Sequence, residues 1–188
     1  MLAMRIALLG DGAVGKTSIR KRFMGEGFSV NYQATIGADF AAKKVKLPSG
    51  EEVEFQIWDL AGQPTYESVR PIYYQGCMGA LVIYDLLRES TYENINSWVD
   101  ELWKNSGMGK VPIIILGNKA DLMEKAPKFV PLDKGNELAD HLSQKTEEIE
   151  SKVIFYPTSA KTGKNVDESF KQLSEMILTY FKKKKGVK

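Results

Sequence analysis

The 188-residue chain is 43% apolar and 27% charged, which suits one ordinary domain with a full core and excludes a disordered chain. A formal net charge of +2 gives no whole-protein basis for nucleic-acid binding. The single cysteine, Cys77, excludes an internal disulfide, and its apolar neighbours Met78 and Leu81 predict a small buried residue.

Arg5 to Leu9 is apolar after one charge, as in a parallel strand covered on both faces. A helix is predicted over Lys16 to Gly25, with Ile19 and Phe23 inward and Arg20, Lys21 and Arg22 solvated. Phe28 to Gly37 has no period and reads as a loop. Asp39–Leu47 and Glu52–Trp58 read as a strand pair around Pro48-Ser49-Gly50-Glu51, a hairpin signal. In the second, Val53, Phe55 and Ile57 alternate with polar neighbours. Asp59 to Gln75 begins as a loop and continues as an irregular helix.

Gly79 to Tyr84 is a further buried strand. One helix is predicted over Ser90 to Lys104, with Ile95, Trp98, Val99 and Leu102 as its apolar stripe and a cap from Ser90 or Thr91 with Glu93. Val111–Leu116 is a core strand and Asn118–Pro131 a loop. A helix follows over Asp133 to Glu150 with Leu138, Leu142 and Ile149 inward, then a strand at Val153–Tyr156. A closing helix spans Asn165 to Phe181. The alternation predicts an α/β fold: a mostly parallel six-stranded sheet with one antiparallel edge strand and helices on both faces. Residues 1–181 would form one domain, followed by a basic tail at 182–188.

Chemistry in such a sheet gathers at the carboxyl ends of the strands. Gly10-Asp11-Gly12-Ala13-Val14-Gly15-Lys16-Thr17 fits G-x-x-x-x-G-K-[ST], a phosphate-binding loop between strand and helix. Gly10, Gly12 and Gly15 leave backbone room around a polyphosphate, and the helix N-terminus faces the anion. Lys16 can reach the outer phosphates, and Thr17 can ligate magnesium. Asp59-Leu60-Ala61-Gly62-Gln63 follows a strand: Asp59 would hold magnesium through water, Gly62 N–H would face the γ-phosphate, and Gln63 would orient the attacking water. Asp85 ends another strand.

Asn118-Lys119-Ala120-Asp121 also follows a strand. The Asp121 carboxylate matches the N1–H and amine of guanine and mismatches adenine. Asn118 would brace the base edge and the phosphate loop, and the Lys119 stem would lie over the ring. Ser159-Ala160-Lys161 would offer a backbone N–H to the guanine O6. Thr35 could give magnesium a second hydroxyl, Phe28 could cover the base edge-on, and Tyr32 could close over the phosphates. Taken singly, those three read equally well as core or loop residues.

In this order the elements resemble a Ras-superfamily small GTPase over about Arg5 to Phe181. The Gln63 element, Thr35-Ile36-Gly37 and Tyr73-Tyr74-Gln75-Gly76 are most similar to the Rab branch. The resemblance implies GTP and GDP as ligands, Mg2+ as cofactor, and Ser18 and Leu122 beside the nucleotide. It also implies slow hydrolysis, with Gln63, Lys16, Gly62 and Thr35 as the catalytic set, in a switch whose loops at about 28–40 and 59–75 are read by effector, exchange-factor and activating proteins. Gly12 would leave room for an activator's arginine.

Departures from the family pattern bear on catalysis and membrane attachment. Pro64 follows Gln63 where an acidic residue is usual, biasing Gln63 to extended backbone and removing an N–H. A nucleotide-holding assembly subunit with little turnover is therefore the alternative reading. A third, a small-molecule kinase, lacks an arginine-rich lid and conflicts with the guanine motif. Leu60 replaces a usual threonine. The end of the chain, from Lys182, has four lysines in a row but no lipidation cysteine, so at most weak peripheral membrane contact is expected. No run is long enough to cross a membrane, Leu2 excludes myristoylation and the start is too short for a signal peptide. A cytoplasmic monomer is expected. The lone His141 reads as structural or solvated, the 123–150 segment as longer than usual, and Trp58, Trp98 and Trp103 as packing residues, although an exposed Trp103 would mark an interface.

Overall fold

In a computed structural model, which describes residues 2–29, 34–47 and 50–184, six strands form one sheet. Strands β1 (Leu2–Leu9), β3 (Glu52–Leu60), β4 (Gly79–Asp85), β5 (Ile113–Asn118) and β6 (Ile154–Pro157) are parallel to one another. β2 (Ala38–Lys46) lies antiparallel on β3 at the edge, in the order β2-β3-β1-β4-β5-β6. The sheet matches the expected class. The chain leaves β1 toward β3 on one side and reaches β4 on the other, so a crevice opens beyond the carboxyl end of β1.

Alternation along β1 divides the core into two layers. Met4, Ile6 and Leu8 face Ile19 and Phe23 of α1 (Lys16–Met24) and Phe170, Leu173 and Ile177 of α6 (Val166–Lys184). Phe23 stacks on Phe170 with ring centroids 3.7 Å apart, joining those two helices. Burying each such side chain stabilises the fold by about 1.5–3 kcal/mol. Ala7 and Leu9 face the other way, toward Trp98, Val99 and Leu102 of α4 (Ile95–Asn105) and Leu138 and Leu142 of α5 (Leu132–Lys145). Cys77 is fully buried in that second layer.

Several local expectations need correction. The helix predicted over Ser90–Lys104 is two pieces, α3 (Glu89–Glu93) and α4, meeting at Asn94. Helical bonding continues across the joint, from Asn94 N to Ser90 O (3.3 Å) and Trp98 N to Asn94 O (3.2 Å). At this joint the Asn94 side-chain amide donates to the Asp11 carboxylate (2.8 Å). Thr91 does not cap this helix: its hydroxyl accepts from Asp85 N (2.9 Å) and donates to Arg88 O (2.7 Å), closing the buried end of β4. The 118–131 stretch contains a 3-10 turn at Ala120–Lys125. The next helix stops at Lys145, leaving Ile149 half-buried on a separate turn, while the closing helix runs on to Lys184. Trp103, by contrast, packs in the core as expected, and its indole donates to Val111 O (3.1 Å). Arg20 is also buried rather than solvated, and Arg70 opens a short helix α2 (Arg70–Tyr74). The Pro48-Ser49 hairpin tip lies outside the described residues; its flanks close through Leu47 N to Glu51 O and Gly50 N to Leu47 O.

Candidate functional site

The phosphate-type loop joins β1 to α1 with left-handed backbone at Gly10 (φ +134°), Ala13 (φ +60°) and Gly15 (φ +102°), so Gly12 is not among the positions that need positive φ. A Cβ on Gly15 would run into the Asn118 amide. Lys16 folds over the loop, its ammonium donating to Gly10 O and Asp11 O, both at 2.7 Å. Burial lowers its pKa to about 8, against the opposing pull of Asp59 and Asp11. The Asp11 carboxylate points away from the cleft, accepting from Asn94 Nδ2 and Trp98 Nε1, each at 2.8 Å.

Three oxygens converge at the start of α1. Thr35 and Thr17 hydroxyls lie 2.9 Å apart, and Thr17 donates to Asp59 Oδ2 at 2.5 Å. Asp59 is fully buried, and its Oδ1 has no hydrogen-bond partner among the described residues. Burial raises the Asp59 pKa, opposed by the Thr17 bond and by Lys16 and Arg20. Hard oxygens with one orphaned carboxylate atom are a donor set that fits Mg2+. Arg20 flanks them, with Nη2 on Asp39 at 2.8 Å and Nε 3.9 Å from Asp59 Oδ2.

The loop after β3 is fastened to the opposite loop through Ala61 N to Gly37 O (2.8 Å). Gly62 packs directly on the phosphate-type loop, where a Cβ would collide with Gly10 O and Gly12 N. Gln63 is extended (φ −75°, ψ 143°), and Pro64 occupies the first position of the 3-10 turn Pro64–Tyr66. Its missing N–H falls where a helical turn needs none. Gln63 Oε1 is buried without a partner among the described residues, and its side chain lies beside Gly12.

At the far end, Asn118 joins three loops. Its Nδ2 donates to Val14 O (2.9 Å), and its Oδ1 accepts from Ala160 N (3.2 Å) and Thr158 Oγ1 (3.4 Å). The Ala160 N–H is thus committed to Asn118. Asp121 Oδ1 accepts from Ser159 Oγ at 2.6 Å. Lys119, left-handed at φ +70°, sends its ammonium to the buried Asp85 carboxylate (2.7 Å).

These elements surround one cleft of about 860 Å³. Gly12, Ala13, Gly15, Lys16, Thr17, Ser18, Phe28, Thr35, Gly62 and Gln63 line it, as do Asn118, Lys119, Asp121, Leu122, Ala160 and Lys161. Gly10, Asp11, Val14, Asp59 and Ser159 stand behind that lining, and Tyr32 lies outside the described residues. Sequence reasoning missed Arg20, which also lines the cleft. Its spacing of four from Lys16 placed it on the same helix face. It also missed Arg70 and the bond from Trp98 to Asp11, for which no local signal exists.

Residues 5–179 match the model of the Ras family. The chain is 36% identical over 174 residues to Ras-related protein RABE1e of Arabidopsis thaliana, covering 93% of this chain and 74% of that protein. It is 36% identical to Ras-related protein Rab-13 of Rattus norvegicus, covering 93% and 79%. With the Ypt/Rab-type GTPase YPT7 of Saccharomyces cerevisiae it shares 35% identity over 178 residues, covering 93% and 81%.

Proposed function

This chain belongs to the Ras family, and from that premise we propose residue roles for its cleft in binding and hydrolysing GTP. It is a Rab-like small GTPase, a GTP-binding switch protein that acts as a hydrolase on GTP, and the low-turnover assembly-subunit reading is not favoured. The observation that carries the assignment of roles is convergence: phosphate-type, hydroxyl–carboxylate and guanine-type elements open into one cleft.

The phosphate chain of GTP sits on the loop from Gly10 to Ser18, facing the N-terminus of α1, with Lys16 on the outer phosphates. Asp121 accepts from the guanine edge, held in line by Ser159, while Phe28 and the Lys119 stem flank the base. Asn118 keeps base site and phosphate site in register. Thr17 and Thr35, with Asp59 through a water, would hold Mg2+, which would supply neutralisation of phosphate charge. Gln63 presents its unpartnered carbonyl to the attacking water, and Gly62 N–H faces the γ-phosphate. Because Thr35 and Gly62 lie on two loops tied through Ala61 and Gly37, losing the γ-phosphate loosens both together.

Effector, exchange-factor and activating proteins read those loops. Ile36 (81% exposed), Ile72 (69% exposed), Phe40 and Val69 are exposed apolar side chains on these segments and serve as contact points. Arg20 and Arg70 are held by Asp39 and Glu101, while Arg88, paired with Asp85, also donates to the Gly12 carbonyl (2.7 Å), so an arginine supplied by a partner would approach Gly12 alongside it. Such an arginine adds about 10³–10⁵ in rate. The protein acts as a cytoplasmic monomer built on one domain, residues 1–181, and the lysines from Lys182 offer an anionic surface a point of contact. Among the described residues no helix is long and apolar enough to cross a membrane.

The test is multiple-turnover hydrolysis of GTP and ATP with and without Mg2+, beside nucleotide titration. Slow, Mg2+-dependent turnover of GTP alone, lost in Gln63→Leu, is expected. Equal use of ATP would refute the Asp121 role, and unchanged turnover in Gln63→Leu would refute the Gln63 role.

A further inference from the structure

Arg70 is 5% exposed and lies seven residues after Gln63. Its guanidinium forks onto Glu101, Nε to Oε1 at 2.9 Å and Nη2 to Oε2 at 3.0 Å. The guanidinium carbon sits 4.4 Å from the centre of the Trp98 ring. The remaining nitrogen, Nη1, points back at the Gln63 carbonyl, 3.4 Å away. That carbonyl also accepts from Tyr66 N at 3.1 Å. Trp98 in turn donates to the Asp11 carboxylate of the phosphate loop at 2.8 Å. One helix, α4, therefore holds the loop carrying Gln63 through Glu101 and the phosphate loop through Trp98.

We propose that Arg70 is a positioning residue for hydrolysis. With Pro64 it fixes the Gln63 backbone, and through Trp98 it fixes the distance from that backbone to the phosphate loop. The inference deepens the assignment of Gln63 as the water-orienting residue and rests on it. A planar fork suits the task, because its nitrogens serve Glu101 and the Gln63 carbonyl in one plane while its face lies on an indole. Lysine offers neither the plane nor the fork. Proline restricts Gln63 to extended backbone, and two donors on its carbonyl oppose rotation of the following peptide. The side-chain amide is then left to face the cleft beside Gly12, its oxygen unpartnered among the described residues. Preset geometry of this kind lowers the cost of aligning the nucleophile.

The experiment is single-turnover phosphate release from GTP by the parent, Arg70→Met, Arg70→Lys, Gln63→Leu and the Arg70→Met/Gln63→Leu double variant. GDP affinity and thermal midpoint are measured on each. Arg70→Met should slow hydrolysis about tenfold, the scale of one charged hydrogen bond, while GDP affinity stays within about twofold. Arg70→Lys should be slowed similarly, since the charge survives and the fork does not. In the Gln63→Leu background the Arg70 change should have no further effect, because its action passes through Gln63. A merely structural role predicts the opposite: equal slowing in both backgrounds, or affinity and rate falling together. Either result overturns the proposal, as does an unaltered rate in Arg70→Met or, if that variant does not fold, in Arg70→Lys. If Gln63→Leu alone turns over like the parent, the role of Gln63 itself falls and the proposal falls with it. A slow Gln63→Leu beside an unaffected Arg70→Met refutes the proposal alone.

Discussion

Asn118→Ala is the most direct perturbation of the cleft's architecture. The side chain is 2% exposed and bridges Val14 O, Ala160 N and Thr158 Oγ1. Truncation strands a buried carbonyl and a buried N–H, whereas the Thr158 hydroxyl can turn to another acceptor. Each stranded group costs about 1–3 kcal/mol, so a loss near 3 kcal/mol is expected. For a chain of this size that lowers the thermal midpoint by roughly 6–12 °C. The same amide fastens the phosphate loop to the base-binding loops, so GDP affinity should fall by at least about tenfold, one hydrogen bond's worth. The assay is thermal unfolding without nucleotide and with saturating GDP, with direct titration of a fluorescent GDP analogue. The stabilisation that GDP confers should shrink in the variant, following its weaker affinity. Asn118→Asp keeps the shape but turns a carboxylate oxygen toward Val14 O, and it should do no better than alanine. A midpoint shift under about 2 °C refutes the cost assigned to the stranded groups. The full shift with unchanged GDP affinity refutes the mechanical link between the two ends of the cleft.

Asp121→Ala should weaken GTP binding at least about a hundredfold without improving ATP binding, as read by competition, because the loss is confined to the guanine edge. Gly62→Ala should cost stability and slow hydrolysis, since its Cβ meets Gly10 O and Gly12 N. Gly12→Ala, whose Cβ meets only Gln63 Cγ at 4.0 Å, should leave the thermal midpoint nearly unmoved. Cys77 should resist alkylation at pH 8 until the protein unfolds, because burial pushes its thiol from 9.0 up to about 11. That raised pKa has a signed consequence for stability: its contribution is intact below about pH 9 and is lost as pH rises toward 11. Urea midpoints of the parent should therefore decline across that window more steeply than those of Cys77→Ala.

What was legible in the sequence was whatever chemistry is local. The apolar runs of β1, β4 and β5 and the stripe of α6 are set by periodicity, and the sheet follows from their alternation. Where tertiary bonds override local pattern, reading failed. Ser90 and Thr91 look like helix caps, yet the buried end of β4 needed Thr91 for the Asp85 N–H. The uninterrupted stripe from Ile95 to Leu102 gives no hint that Asn94, one residue earlier, bonds a carboxylate 83 positions away. Arg20 looked solvated because two of its neighbours are basic, although Asp39 and Asp59 were waiting on the strands beneath.

The same division holds within the cleft. Gly10 to Thr17 and Asn118 to Asp121 are contiguous motifs, so their spacing announces them. Pro64 is the instructive case. Read locally, it subtracts an N–H and constrains the residue placed to aim water, which argues against turnover. In the fold, the lost N–H falls at the start of a 3-10 turn that requires none, and the constrained residue already needs extended backbone. Its carbonyl meets Tyr66 N and the Arg70 guanidinium, and Arg70 is anchored by a glutamate 31 residues further on. No window of sequence contains Pro64, Arg70, Trp98 and Glu101 together, so a substitution that looks like damage in one dimension reads as a restraint in three. The sign of its effect on catalysis depends on those distant partners, and a proline at this position in a chain lacking the Arg70–Glu101 pair should not be expected to behave alike.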